Sequence, residues 1–349
     1  MPKVLDMLGY SASEIGFIFG AGPLVRFLLP FLFMKGFKLN ARTFNVAILI
    51  MLVSSLFFYA NIESFYGLLF SNIGLGIGLS LILPYIELIS LKEIGKERYG
   101  KIRLFGSVGF VLVALVLVKF LTSATIALNF FLSAIFLTAL ISFVIVRRVK
   151  EFKQEKKDVN SNSISLVKDW KLWAGLTLMQ VSFGAFYNFF TIYETNHGVS
   201  LDMTIYLWSF GVVVEIFMLY FQGRFLRGNL LVILQITTLF SAFRWFLVFL
   251  FADNLVVMFF AQSIHALSFA LFHSAAISYL YQFYSQKALA QQFFSGITYG
   301  LGGFTGAIMA GYIYELYPGY LFLSSSLSAF LAFVFIYLWN QKSKTKEVV

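Results

Sequence analysis

Glu215, Arg244 and His273 place an acid, a guanidinium and an imidazole on three successive apolar stretches of this chain. Arg26 and His265 lie equally deep among apolar residues, and Glu87 lies near the end of another such stretch. Burial favours the neutral form of a carboxylate, while a neighbouring guanidinium favours its charged form. A carrier that couples protons to a solute needs that competition. Arginine also offers a two-pronged donor for a carboxylate ligand, and histidine titrates near neutrality or simply donates a hydrogen bond. The competing role for each is structural: a buried charge that locks helices together. The residue types predict proton coupling at Glu215 and His273, and solute contacts from Arg244, His273, Arg26, Glu87, His265 and Asn188. Arg244 would hold a solute carboxylate or modulate Glu215, and Asn188 is chosen because it lies near Tyr187 and Glu194. Glu194 itself falls at the outer edge of a span, where a solvated carboxylate is expected.

Other chemistries are excluded on spacing or composition. His265 and His273 are eight residues apart, about 80° around an α-helix and roughly 12 Å along it, so no shared metal ion is expected. The chain has no cysteine, which removes disulfide, thiolate-metal and iron–sulfur chemistry. Gly74-Leu75-Gly76-Ile77-Gly78 and Gly300-Leu301-Gly302-Gly303 sit inside apolar runs with no preceding strand, so they are not phosphate loops and read as close helix packing. No HExxH, GxSxG or Walker pattern occurs. Neither an enzyme, an ATP-driven pump nor a cofactor is expected.

The elements that must carry these residues are membrane helices. The 349 residues are 60% hydrophobic and 12% charged, against about 25% charged in a soluble domain. Runs such as Phe120–Val146 and Leu316–Asn340 lack charge for longer than the roughly 20 residues that cross a bilayer. Alternating strands are absent, so helices satisfy the backbone in lipid. Apolar runs and charged breaks predict eleven spans: 12–34, 43–62, 64–91, 103–121, 124–146, 170–193, 202–223, 229–251, 254–283, 290–314 and 319–340. Alternate loops then hold 22 of the 26 basic residues on one side, which the positive-inside rule makes cytoplasmic. The net charge of +10 is therefore a topology signal and not a nucleic-acid footprint. A bacterial inner-membrane protein with a cytoplasmic C-terminus is expected, monomeric, with the bilayer, protons and a small-molecule solute as its partners.

Residues 1–146 would form a first membrane half of five spans, 147–169 a cytoplasmic linker, and 170–349 a second half of six. An internal repeat relates the halves. Gly9-Tyr10-Ser11, Arg26 and Asn40 recur as Gly198-Val199-Ser200, Glu215 and Asn229 at an offset of 189, and Leu79-Ser80 recurs as Leu267-Ser268 at 188. Arg26 and Glu215 thus occupy equivalent positions flanking one central path. The same register leaves the span at Trp170–Phe189 without a counterpart after Met1, so a further helix upstream is expected, with loss of that helix as the alternative.

The segments Tyr206-Leu207-Trp208-Ser209-Phe210-Gly211-Val212-Val213-Val214-Glu215, Arg244-Trp245 and His265-Ala266-Leu267-Ser268-Phe269-Ala270-Leu271-Phe272-His273 resemble the phenylpropionic-acid permease group of the major facilitator superfamily. Gly20-Ala21-Gly22-Pro23-Leu24-Val25-Arg26 and Tyr99-Gly100-Lys101-Ile102-Arg103 through Phe110 agree with it. The group stands beside lactose-type and nucleoside proton symporters. The resemblance implies an all-α fold of two pseudo-symmetric six-helix bundles, twelve spans of which eleven are present here. It further implies that Glu215, Arg244 and His273 act like the acid, arginine and histidine that couple protons to sugar in lactose-type permeases. Those permeases carry an acid three residues after the histidine, where this chain has Ala276; and Met34–Asn40 lacks the superfamily's loop aspartate. Proton-coupled uptake of an aromatic acid, sugar or nucleoside is expected; proton-driven export and a non-transporting membrane sensor or assembly protein are the alternatives.

Overall fold

The repeat in the sequence is a repeat of turns and helix starts. In the computed structural model, which describes residues 1–35, 37, 40–94, 96–120, 123–148 and 164–347, Gly9 and Gly198 have φ of 89° and 86°. That left-handed region is open to glycine at no steric cost, and it reverses the chain just before a helix. Ser200 then caps α9 (Leu201–Phe221) by accepting from Met203 N at 3.2 Å. Ser11 does the same for α2 (Ala12–Met34) within a reciprocal capping box: its N–H donates to Glu14 Oε2 at 2.8 Å, and its hydroxyl accepts from Glu14 N at 3.3 Å. Asn40 and Asn229 likewise cap α3 (Ala41–Ala60) and α10 (Leu230–Leu250).

No strand occurs among the described residues. Eight of their helical stretches are long and apolar enough to cross a membrane, and each lies on a predicted span. The other three expected spans take different forms. Span 103–121 is a shorter apolar helix, Leu104–Phe120, within α5 (Lys96–Phe120). Span 170–193 breaks at Phe183 into α7 (Trp170–Ser182) and α8 (Gly184–Asn196), and 290–314 becomes α13 (Lys287–Phe293), a π-helical segment Phe294–Leu301 and α14 (Gly302–Leu316). The expected linker 147–169 falls largely on residues outside those described.

In the first half α2, α3, α4 (Phe65–Ile94) and α6 (Ala124–Arg148) pack together; in the second, α15 (Leu321–Glu347) packs along α7 and α10. Large side chains on the outward faces are exposed, as on α6 at Phe136, Leu137, Leu140 and Ile141. In a bilayer that surface meets acyl chains and costs nothing. The end of the second half that carries Asp169 is tied by a buried network: Tyr284 Oη donates to Asp169 Oδ2 at 2.7 Å, and Trp173 Nε1 donates to Tyr284 Oη at 3.1 Å.

The halves meet along two seams, α2 against α14 with its preceding π segment, and α5 against α9. At the first seam the backbones touch. A methyl placed on Gly300 would lie 2.5 Å from Phe27 N and 2.7 Å from its Cα. At an exposed end of this seam, beyond the apolar span, Glu315 reaches across from the second half and accepts from Ser13 N in the first turn of α2 at 2.8 Å.

Two outcomes follow. Gly300→Ala must push α2 from its partner, an overpacking cost of about 1–3 kcal/mol, read as a lowered melting temperature of the purified protein. The hydrogen bonds from Ser13 hold the Glu315 carboxyl below its ordinary range, so its contribution is present at neutral pH and is lost as pH falls through that depressed value. Cross-linking between cysteines at Phe17 and Tyr312, whose rings are 5.9 Å apart across the seam, should hold constant from pH 7 to about 5 and decline below it. Glu315→Gln should remove that decline.

Candidate functional site

The guanidinium of Arg244 is fully buried in α10. A cation there must be matched by donors and acceptors of the protein. Its NH1 donates to His265 Nδ1 at 2.9 Å and to Ser268 Oγ at 3.2 Å, and its NH2 donates to Gln262 Oε1 at 2.8 Å. The rings of Trp245 and Phe186 lie 4.2 and 4.5 Å from the guanidinium carbon, and such stacking stabilises a desolvated cation further. Arg244 Nε and Gln262 Nε2 have no protein partner, a place suited to ordered water.

A guanidinium N–H can only donate, so His265 Nδ1 must accept. The ring is then the neutral tautomer with its proton on Nε2, which lies 3.5 Å from Glu215 Oε2. Arg244 thus fixes the histidine, and the histidine presents a donor to the acid. On its other side Glu215 Oε1 lies 3.4 Å from Ser107 Oγ on α5, so the carboxylate stands at the second seam between the halves.

This geometry bears on two expectations. Arg244 is enclosed by aromatic rings and its two terminal nitrogens are engaged within the protein, which favours the second of its expected roles, acting on Glu215 through His265. The histidine beside Glu215 is His265 and not His273. His273 bonds the hydroxyl of Tyr299 through Nδ1 at 2.5 Å. The two histidines are also not 80° apart in effect. A π-helical segment, Ala266–Leu271, separates α11 (Leu255–Ser263) from α12 (Phe272–Phe283). Its wider i→i+5 turn advances less around the axis per residue. Both histidines therefore share a face, with Phe269 between them, stacked on His265 at 5.2 Å and on His273 at 6.4 Å.

Tyr187, Phe269, His273 and Tyr299 line one aromatic and polar surface, backed by the buried ring of Phe183. Tyr187 stacks on Phe183 at 5.4 Å, is 38% exposed despite lying mid-chain on α8, and is within electrostatic reach of Tyr299, Glu215 and Arg244. Sequence reasoning missed Tyr187, Tyr299 and Ser107, which no local pattern marks. The support for Arg244 was better signalled, because Gln262, His265 and Ser268 are spaced to share a helix face.

The remaining expected residues are dispersed. Asn188 is half-buried and donates to the Gly184 carbonyl of its own helix at 2.8 Å. The Glu87 side chain lies outside the described residues. Arg26 lines a cavity of about 220 Å³ with Phe19, Phe58, Asn72, Leu79 and Phe131. Phe19 is the repeat counterpart of Trp208, and there α8 inserts Phe186, whose ring lies 4.1 Å from Trp208 and 5.3 Å from Trp245. Glu194 is not solvated: it is buried and neither carboxylate oxygen has a protein hydrogen bond. The turn at Gly198 brings Val199 N to the Glu194 carbonyl at 3.0 Å, which folds the chain over it. Among the described residues no cluster of three or more metal-ligating side chains occurs.

The family model described as "MFS_1 like family" matches residues 1–320. The chain belongs to that family. It is 25% identical over 324 residues to "Probable 3-phenylpropionic acid transporter" of Escherichia coli (strain K12), covering 89% of this chain and 85% of the relative. It is also 25% identical over 321 residues to "Uncharacterized transporter YwbF" of Bacillus subtilis (strain 168), covering 87% and 79%. Among solved structures the nucleoside transporter NupG superposes with a TM-score of 0.72 at 16% identity, covering 96% of this chain and 92% of that one. A D-xylose-proton symporter superposes with a TM-score of 0.68 at 14% identity, covering 95% and 89%. The protein is a multi-pass membrane transporter of the major facilitator type and not an enzyme.

Arg244→Lys tests the positioning role. An ammonium cannot span His265, Ser268 and Gln262 in one plane, so the variant should lose about 2 kcal/mol or more of stability, measured by thermal unfolding in detergent.

Proposed function

We propose that this transporter couples proton movement to uptake of a small organic solute by alternating access, with Glu215 as the proton carrier. The observation that carries the reading is the contact of Glu215 with His265. A deep carboxylate lies at a seam between the halves and faces a histidine held neutral by a buried arginine. A proton taken up here goes to the acid and not to His265, whose Nε2–H faces the carboxylate and favours its ionised form once the proton leaves. His273, Tyr299 and Tyr187 form the solute wall, which suits a flat or ring-bearing molecule with hydrogen-bonding edges. Arg26, across the path, is the cation proposed to meet an anionic solute. The names of the E. coli relative and of the nucleoside and D-xylose transporters agree with this solute range. The one-sided distribution of basic residues supports a bacterial inner-membrane location with the C-terminus cytoplasmic, and we take the monomer as the working unit.

Right-side-out vesicles supplied with labelled 3-phenylpropionate, uridine and D-xylose test the reading. Accumulation should require an inward proton gradient. Glu215→Gln preserves shape and removes a costly buried charge, so the variant should fold, lose accumulation against a gradient and retain solute exchange. A well-folded Glu215→Gln protein that still concentrates solute would eliminate Glu215 as the coupling residue. Solute leaving the vesicles faster when the gradient is imposed would point to export. Poor expression and a lowered melting temperature would instead mark Glu215 as a helix lock.

A further inference from the structure

We infer that Ser107 is the positioning residue through which the proton load of Glu215 is read at the seam between the two halves. The inference rests on the reading of Glu215 as proton carrier. It assigns the other half of the molecule a specific group in that step.

Ser107 belongs to α5 of the first half and Glu215 to α9 of the second, and their side chains meet at 3.4 Å. One turn along the same seam, the rings of Phe110 and Trp208 face each other at 6.4 Å, covering the contact from the outer direction. Trp208 is itself anchored, its Nε1 donating to Thr191 Oγ1 at 3.1 Å. The hydroxyl therefore meets Glu215 where ring packing limits access by water.

The internal repeat gives an independent reason to take the contact seriously. Ser107 maps onto Ser295 at an offset of 188, with Phe105 mapping onto Phe293, and Glu215 maps onto Arg26 at 189. At the other seam a methyl on Gly296, next to Ser295, would lie 3.4 Å from the Arg26 carbonyl oxygen. Each seam thus sets a serine-bearing turn of one half near the turn of the other half that carries Arg26 or Glu215.

The chemistry of the pair makes it a reader of charge. A serine hydroxyl donates to an ionised carboxylate, and a bond to an ionised acceptor is roughly twice as strong as one to a neutral group. Protonating Glu215 weakens what Ser107 contributes; separating α5 from α9 removes it. By linkage the proton on Glu215 and the closure of this seam must then influence one another. A residue that only fills space would give no such dependence.

The chain has no cysteine, so spin labels can be placed without background. Tyr66→Cys and Val256→Cys, 70% and 80% exposed at the outer ends of α4 and α11, report the separation of the halves in nanodiscs, with protons as the only probe. The parent should show a shift in label distance as the pH is lowered. Ser107→Ala should lose that shift, Ser107→Thr should restore it by keeping the hydroxyl, and Glu215→Gln should lose it. A Ser107→Ala protein with the parent's shift and midpoint overturns the inference, as does a parent that shows no shift. Equal loss in Ser107→Ala and Ser107→Thr also overturns it, because size and not the hydroxyl would matter. If Glu215→Gln keeps the parent's shift, the reading of Glu215 as proton carrier fails as well.

Discussion

A cation with no water around it must be given partners by the protein, and the middle of the second half is organised around that requirement. Arg244 recruits Gln262, His265 and Ser268 from the facing helix and lies against the rings of Phe186 and Trp245. Each partner is thereby fixed. His265 is held in one tautomer, its Nε2 is aimed at Glu215, and the acid is held against the first half at Ser107. Losing the guanidinium would release the whole chain of contacts.

The same rule explains the distribution of polar groups elsewhere. With no solvent to satisfy them, hydroxyls and amides within spans bond to their own helix, as Thr238, Ser241 and Asn188 do, or to a neighbouring one, as Ser326 does to the Ala242 carbonyl. Glu194 departs from it, with both oxygens buried and unpartnered by protein. Regular α-helix is also relaxed where side chains must converge. The two π segments flank the polar face that carries His265, His273 and Tyr299. Such segments recur at functional sites because they re-aim side chains without ending the helix.

Movement in this architecture has to occur at the seams. The α2–α14 seam is close-packed backbone to backbone and carries the Glu315–Ser13 bond at an exposed end. The α5–α9 seam carries Ser107 opposite Glu215. On the reading proposed for Glu215, a proton on that carboxylate would be felt where the halves join.

Composition and periodicity were enough to read the membrane body, because a bilayer demands long uncharged helices whatever their packing. Helix starts were legible too, since Asn40, Ser200 and Asn229 satisfy backbone donors locally, and the repeat exposed the pairing of Arg26 with Glu215. Breaks at Phe183 and Phe294 were not legible, because close approaches such as Gly184 against Gly306 arise only when helices pack. The depth of Glu215, Arg244 and both histidines followed from the sequence, since charged residues stand out in apolar runs. Which histidine meets the acid did not, because a π-helical insertion changes the face each residue occupies. Nor could the sequence show that Arg244 is fully buried among its partners, or that a serine about a hundred residues earlier meets Glu215. Those contacts join helices far apart along the chain, and only their tertiary arrangement decides them.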